Sequence, residues 1–172
     1  NIVLDLYRKG VILCICSKNN EKEVCDFMDN NPDLLINSNN FLLKKINWNN
    51  KHDNILEISK ELNLSLDSFV FVDDSEFEIN LINNKIPQIK TLLVPSHIYD
   101  YPRRLSNLIS YFHTTKLTDE DKSRNKSYQN QFQRESSRKD FSNIEEYLKS
   151  LDITIDTHID KISIVSRMSQ IT

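Results

Sequence analysis

FVFVDDSEFEINLI, residues 69–82, is the stretch that decides the fold. Its first four residues are apolar and stop at two carboxylates, Asp73 and Asp74; Phe77, Leu81 and Ile82 then recur at helical spacing. A short unbroken apolar run suits a strand covered on both faces, as in a parallel sheet, and the helix after it makes half of a βαβ unit. The same pattern repeats on either side. Residues 11–16, VILCIC, are apolar throughout and break at Ser17-Lys18-Asn19-Asn20. Val24, Phe27 and Met28 follow at helical spacing, with Glu21, Glu23 and Asp26 toward the amino end, where they complement the helix dipole. Phe41, Leu42, Leu43 and Ile46 read as a short strand, and Ile55, Ile58, Leu62 and Leu64 as a helix starting near His52. Residues 89–94 form a further strand closed by Pro95, and Leu105, Leu108, Ile109 and Phe112 a helix after Pro102. Residues 2–9 read as the tail of a helix with Gly10 as its cap. Strand alternating with amphipathic helix predicts an α/β fold, a Rossmann-like doubly wound parallel sheet.

The organisation changes after residue 115. Residues 118–138 are polar, with Tyr128 and Phe132 as apolar anchors, and predict a long exposed helix. Ile144, Tyr147, Leu148 and Leu151 make a short helix, Ile153 and Ile155 alternate as a half-buried strand, and 162–171 has helical period. The expected domains are an α/β domain at 1–115, a helical linker region at 116–151 and the truncated start of a second module at 152–172. The chain opens at Asn1 directly in structured pattern, so a longer parent protein is expected.

Composition narrows the function classes. The 172 residues carry 25 acidic and 22 basic side chains, a net charge of −3, which speaks against general nucleic-acid binding. No apolar run approaches a membrane span and no signal peptide opens the chain, so no membrane partner is expected. Three cysteines, Cys14, Cys16 and Cys25, with two in one apolar run, argue for a reducing, cytoplasmic setting. Cys14 and Cys16 read as buried structural thiols before nucleophiles. The four histidines are scattered without ligand spacing, and the single glycine excludes a glycine-rich phosphate loop within these residues.

Three loops carry candidate chemistry, since ligands of open α/β sheets sit beyond the carboxyl ends of the strands. Ser17, Lys18 and Asn19 follow the first strand, where a hydroxyl and backbone N–H groups at a helix start can cradle phosphate; helix capping is the competing explanation. Asp73 and Asp74 end a buried strand and are the oxygen ligands a hard cation such as Mg²⁺ takes; Asp74 or Ser75 as a helix cap competes. Lys51, ahead of the helix at Ile55, reads by itself as a surface charge.

In this chain order the three loops resemble motifs two, three and four of the haloacid dehalogenase superfamily. "CSKNN" at 16–20, "INWNNKHDNI" at 46–55, "LDSFVFVDDSEFE" at 66–78, "LTDED" at 117–121 and "SNIEEYLKSLDITI" at 142–155 resemble its capless FkbH-like family over nearly the whole chain. The resemblance implies a Mg²⁺-dependent enzyme that takes a phosphorylated three-carbon metabolite, 1,3-bisphosphoglycerate. Such an enzyme removes the phosphate and loads a glyceryl unit onto an acyl carrier protein in polyketide-type biosynthesis. By position, Ser17 would hydrogen-bond the phosphoryl group, Lys51 would neutralise it, Lys18 and Asn19 would help bind it, and Asp73 and Asp74 would serve Mg²⁺. The second module would be acyltransferase-like.

One motif of that family is missing. Its first strand ends in Asp-x-Asp-x-Thr, which supplies the nucleophile. "IVLDLY" at 2–7 has Tyr7 where the second Asp belongs, and Asp5 lies only twelve positions before Ser17, too few for the connecting helix. The nucleophile is therefore expected upstream of Asn1, and residues 1–172 alone are expected to be inactive. Two other functions stand beside this one: an inactive carrier-protein docking or scaffold domain, and a phosphatase of another small metabolite on the same fold.

Overall fold

A computed structural model describes residues 2–112, 119–139 and 143–150. The expected strand at Ile153 and Ile155, the helix at 162–171 and the module at 152–172 lie outside the described residues. The chain divides into two compact units, residues 1–130 and 131–172. The first holds α1 (Ile2–Arg8), β1 (Leu13–Ser17), α2 (Glu21–Asn30), β2 (Phe41–Ile46), α3 (Lys51–Leu62), β3 (Val70–Asp73), α4 (Glu76–Lys85), β4 (Lys90–Leu93) and α5 (Tyr101–Tyr111). The polar helix α6 (Asp119–Lys139) begins in the first unit and ends in the second, where α7 (Ile144–Ser150) follows. No described helix is long and apolar enough to cross a membrane.

Local chemistry sets the boundaries. Gly10 takes φ 86° after α1, a left-handed turn that costs glycine least. Asn63 takes φ 51° and ends α3, so Leu64, expected inside that helix, falls beyond it; its N–H bonds the Ser59 carbonyl at 3.0 Å. The Asn20 side chain caps α2 and the Ser75 hydroxyl caps α4. Pro102 sits in the first turn of α5, where its missing N–H has no intrahelical partner to lose.

All described pairings are parallel. β1 pairs with β2 from Leu13↔Phe41 to Ser17↔Ile46, with a bulge between Leu13 and Cys14. β3 pairs with β4 from Val70↔Lys90 to Asp73↔Leu93. The strands form two two-stranded parallel sheets, β1–β2 and β3–β4, with no ladder between β1 and β3 among the described residues. Successive residues of β3 serve opposite faces. Phe71 joins Ile55, Ile79, Ile82, Ile86 and Ile89 in the core under α3 and α4. Val70 packs against Leu6, Leu92 and Leu108 under α1 and α5. Helices thus cover both faces of the β3–β4 half, as a doubly wound fold requires. Ile82 is wholly buried, worth about 1.5–3 kcal/mol.

The strands themselves are less covered than their sequence leads one to expect. Every residue of β1 is only half-buried, and Val72 of β3 is 37% exposed. Among the described residues each strand pairs along one edge only, so side chains on both faces lack some of the cross-strand contacts that would cover them.

Candidate functional site

The expected site residues stand at the carboxyl ends of the strands. Lys51 opens α3, directly after the loop that leaves β2. Its ammonium meets Asp73 Oδ2 at 2.5 Å, with only 13% of the lysine side chain and 6% of the aspartate side chain exposed. The backbone N–H of Ser75 donates to the other Asp73 oxygen at 2.9 Å. Asp73 is thus held in orientation by one cation and one amide. Asp74, the next residue, is exposed at the strand end.

Lys51 is itself held in place. Asn54, one turn further along α3, is fully buried and exchanges amide hydrogen bonds with Asn47 at 2.9 and 3.3 Å. The Asn47 N–H donates to the Ser17 carbonyl at 3.0 Å, which ties the loop after β2 to the end of β1. The Cys16 thiol donates to the Lys51 carbonyl at 3.6 Å. Ser17 therefore shares a backbone network with the segment that presents Lys51.

The loop after β1 is divided. Lys18 reaches across to Glu78 on α4, Nζ to Oε1 at 2.7 Å, with 35% and 7% of the two side chains exposed. Asn19 turns its side-chain oxygen to the Asn20 N–H at 2.8 Å, and Asn20 takes the Glu23 N–H at 3.3 Å as the cap of α2. Capping of α4 falls to the Ser75 hydroxyl and capping of α2 to Asn20. Asp5 sits exposed on α1, in a loose pair with Arg8 at 3.9 Å.

Sequence reasoning missed Glu78, Asn54 and Asn47. Ser75-x-x-Glu78 has the spacing of a capping box, which assigns Glu78 a local role. Its carboxylate goes to Lys18 instead, and its second oxygen, Oε2, is buried with no described partner.

Cys14 and Cys16 do not behave as nucleophiles. Burial pushes both thiols up to about 11; the Leu43 backbone partly offsets this for Cys14, and the Lys51 charge does so for Cys16. Both stay protonated near neutrality, and thiols react as thiolates.

Among the described residues no group of three or more His, Cys, Asp or Glu could hold a metal. Asp73 and Asp74 offer two carboxylates, and Mg²⁺ is often held by one or two carboxylates, with waters and phosphate oxygens completing its shell. The donor set fits that ion.

No family model and no curated protein matches the sequence. The fold does match a solved structure, the N-terminal part of the protein BF1531 from Bacteroides fragilis, containing a phosphatase domain and complexed with Mg. The TM-score is 0.59 and the sequence identity 35%, over 62% of this chain and 28% of that one. This chain thus spans under a third of the length of the protein it matches. Its fold is that of a haloacid-dehalogenase-like phosphatase domain.

Proposed function

We propose that these residues form the phosphoryl-binding core of a Mg²⁺-dependent phosphatase. The observation that carries this is the buried Lys51–Asp73 pair beside the exposed Asp74, at the carboxyl end of a parallel sheet. Asp73 and Asp74 would hold the ion, which would supply charge for the phosphoryl oxygens. Lys51 adds a fixed positive charge, and Asp73 fixes where that charge sits. Ser17, Lys18 and Asn19 bind and orient the phosphate from the loop after β1. Phosphoryl transfer needs mainly such positioning and charge.

Asp73 is already committed to Lys51 and Ser75, so it makes a poor attacking group. We place the attacking carboxylate outside the described residues. Purified residues 1–172 should then leave p-nitrophenyl phosphate intact with Mg²⁺ present, yet bind inorganic phosphate in a calorimeter only when Mg²⁺ is added. Asp74→Asn, at an exposed position, should weaken that binding at least about tenfold, or 1.4 kcal/mol. Binding unchanged by Asp74→Asn overturns the metal assignment. No binding at all favours the docking or scaffold function. Turnover abolished by Asp73→Asn would bring the attacking group back within this chain, with Asp5 the first residue to test.

The finer proposal is FkbH-like glyceryl transfer from 1,3-bisphosphoglycerate to an acyl carrier protein. The segments at 46–55 and 66–78 support it, because they resemble that family in wording as well as in spacing. The parent protein incubated with both partners should yield a glyceryl thioester, seen as a mass shift of the carrier. Phosphate release without that shift leaves a phosphatase of another small metabolite.

A further inference from the structure

We infer that Glu78 is a positioning residue for the phosphate site and acts through Lys18, an inference that rests on the phosphatase proposal. Glu78 stands in the first turn of α4, just after Asp73 and Asp74. Its side chain is 7% exposed. Oε1 accepts from the Lys18 ammonium at 2.7 Å, and Oε2 is buried with no partner among the described residues.

A carboxylate in that state does little for the fold. The local task open to it is to turn back to the Ser75 N–H and complete a capping box. That N–H is taken, because it donates to Asp73 Oδ1 at 2.9 Å. The Ser75 hydroxyl accepts the Glu78 N–H at 3.4 Å, so the cap of α4 stands without the carboxylate. A buried oxygen with no donor has lost its water and found no replacement. What the carboxylate does accomplish is to hold one ammonium, sixty residues away in sequence.

Lys18 needs holding. Its charge rides on a flexible four-carbon stem, and an unheld ammonium gives up that freedom each time it closes on an anion. The residue before it is already fixed, since the Ser17 carbonyl accepts the Asn47 N–H at 3.0 Å. Lys18 therefore has a fixed root and, through Glu78, a fixed tip. Glu78 takes one of the three N–H donors, and 35% of the lysine side chain stays exposed, so donors remain for phosphate oxygens. After burial itself, the charges acting on the Cys16 thiol are those of Lys51, Asp73 and Glu78, so both ion pairs gather at the end of β1. Asp73 does for Lys51 what Glu78 does for Lys18: each carboxylate fixes where a positive charge sits.

The test is calorimetric titration of inorganic phosphate into purified residues 1–172 at saturating Mg²⁺. Glu78→Leu removes the unpartnered oxygen and keeps an apolar side chain in its place. Its circular dichroism should match that of the unsubstituted chain, and it should bind phosphate at least about tenfold more weakly. Removing a negative charge by itself favours an anion, so a loss marks position rather than charge. Glu78→Gln still offers Lys18 an acceptor and should recover most of the loss. Lys18→Met should bind at least as weakly as Glu78→Leu, and adding Glu78→Leu to it should cost nothing further. The Mg²⁺ concentration that half-saturates phosphate binding should not change in Glu78→Leu. Unchanged phosphate affinity in Glu78→Leu overturns the inference. So do losses that multiply in the double variant, or a raised Mg²⁺ requirement, since Glu78 then serves the metal. A Glu78→Leu chain that does not fold overturns it too, because the carboxylate then serves the fold. An unsubstituted chain that binds no phosphate removes the phosphatase proposal and this inference with it, whereas binding indifferent to Glu78 removes this inference alone.

Discussion

The two halves of the α/β unit are built from equally apolar strands and end up differently packed. The β3–β4 half lies between two helix layers and buries Phe71, Ile79, Ile82, Ile86, Ile89 and Leu92. In the β1–β2 half, α2 buries no residue and every residue of β1 is half-exposed. An apolar run specifies a strand; burial also needs neighbours on both edges and both faces. The halves meet at their carboxyl ends through two ion pairs, Lys51–Asp73 and Lys18–Glu78, and part at the other end around a cavity.

The more buried clamp gives the largest expected effect. Lys51→Met leaves the Asp73 carboxylate 6% exposed and without its cation, a change that typically costs about 3–5 kcal/mol. Urea unfolding followed by circular dichroism should show that loss, and adding Asp73→Asn should recover part of it. An unchanged midpoint would mean that the two halves are not held together there. This buried pair also corrects the reading of Lys51 by itself as a surface charge.

Next comes packing itself. Ile82→Ala should lower stability by about 2–5 kcal/mol, because Ile82 is completely enclosed. Ile15→Ala, on half-exposed β1, should cost roughly 1 kcal/mol. Equal losses would break the contrast between the halves.

Lys18→Met should cost less than Lys51→Met, roughly 1–2 kcal/mol, since Lys18 is 35% exposed and water can replace its ammonium beside Glu78. A loss as large as that of Lys51→Met would make the two clamps equivalent.

Much of this was legible in the sequence. Periodicity placed each described strand and helix within a few residues, because the apolar spacing that marks an element also packs it. The apolar runs placed Ser17 and Asp73 at strand ends and Lys51 ahead of a helix. Glu78 was not legible: its spacing from Ser75 reads as a local cap, and only the fold brings Lys18 within 2.7 Å of it, sixty residues away in sequence. Asn54 was hidden for a similar reason. An asparagine inside an amphipathic helix reads as surface, and only its exchange of hydrogen bonds with Asn47 makes full burial tolerable.

The smallest expected effect lies in alkaline solution and compares thiols within the looser half. Burial raises Cys14 and Cys16 from an ordinary value of 9.0 to about 11. A group that is harder to deprotonate when folded contributes stability fully present below its unfolded value, and that contribution is lost as pH rises toward the folded one. Between pH 9 and about 11 the unfolded chain binds fewer protons than the folded chain, so stability should fall with pH across that window. The double variant Cys14→Ala, Cys16→Ala should start less stable from the lost packing but show a flatter slope there. Thermal melts of both proteins at pH 8, 9 and 10 measure the difference. Parallel slopes would show that water already reaches both thiols in the folded chain.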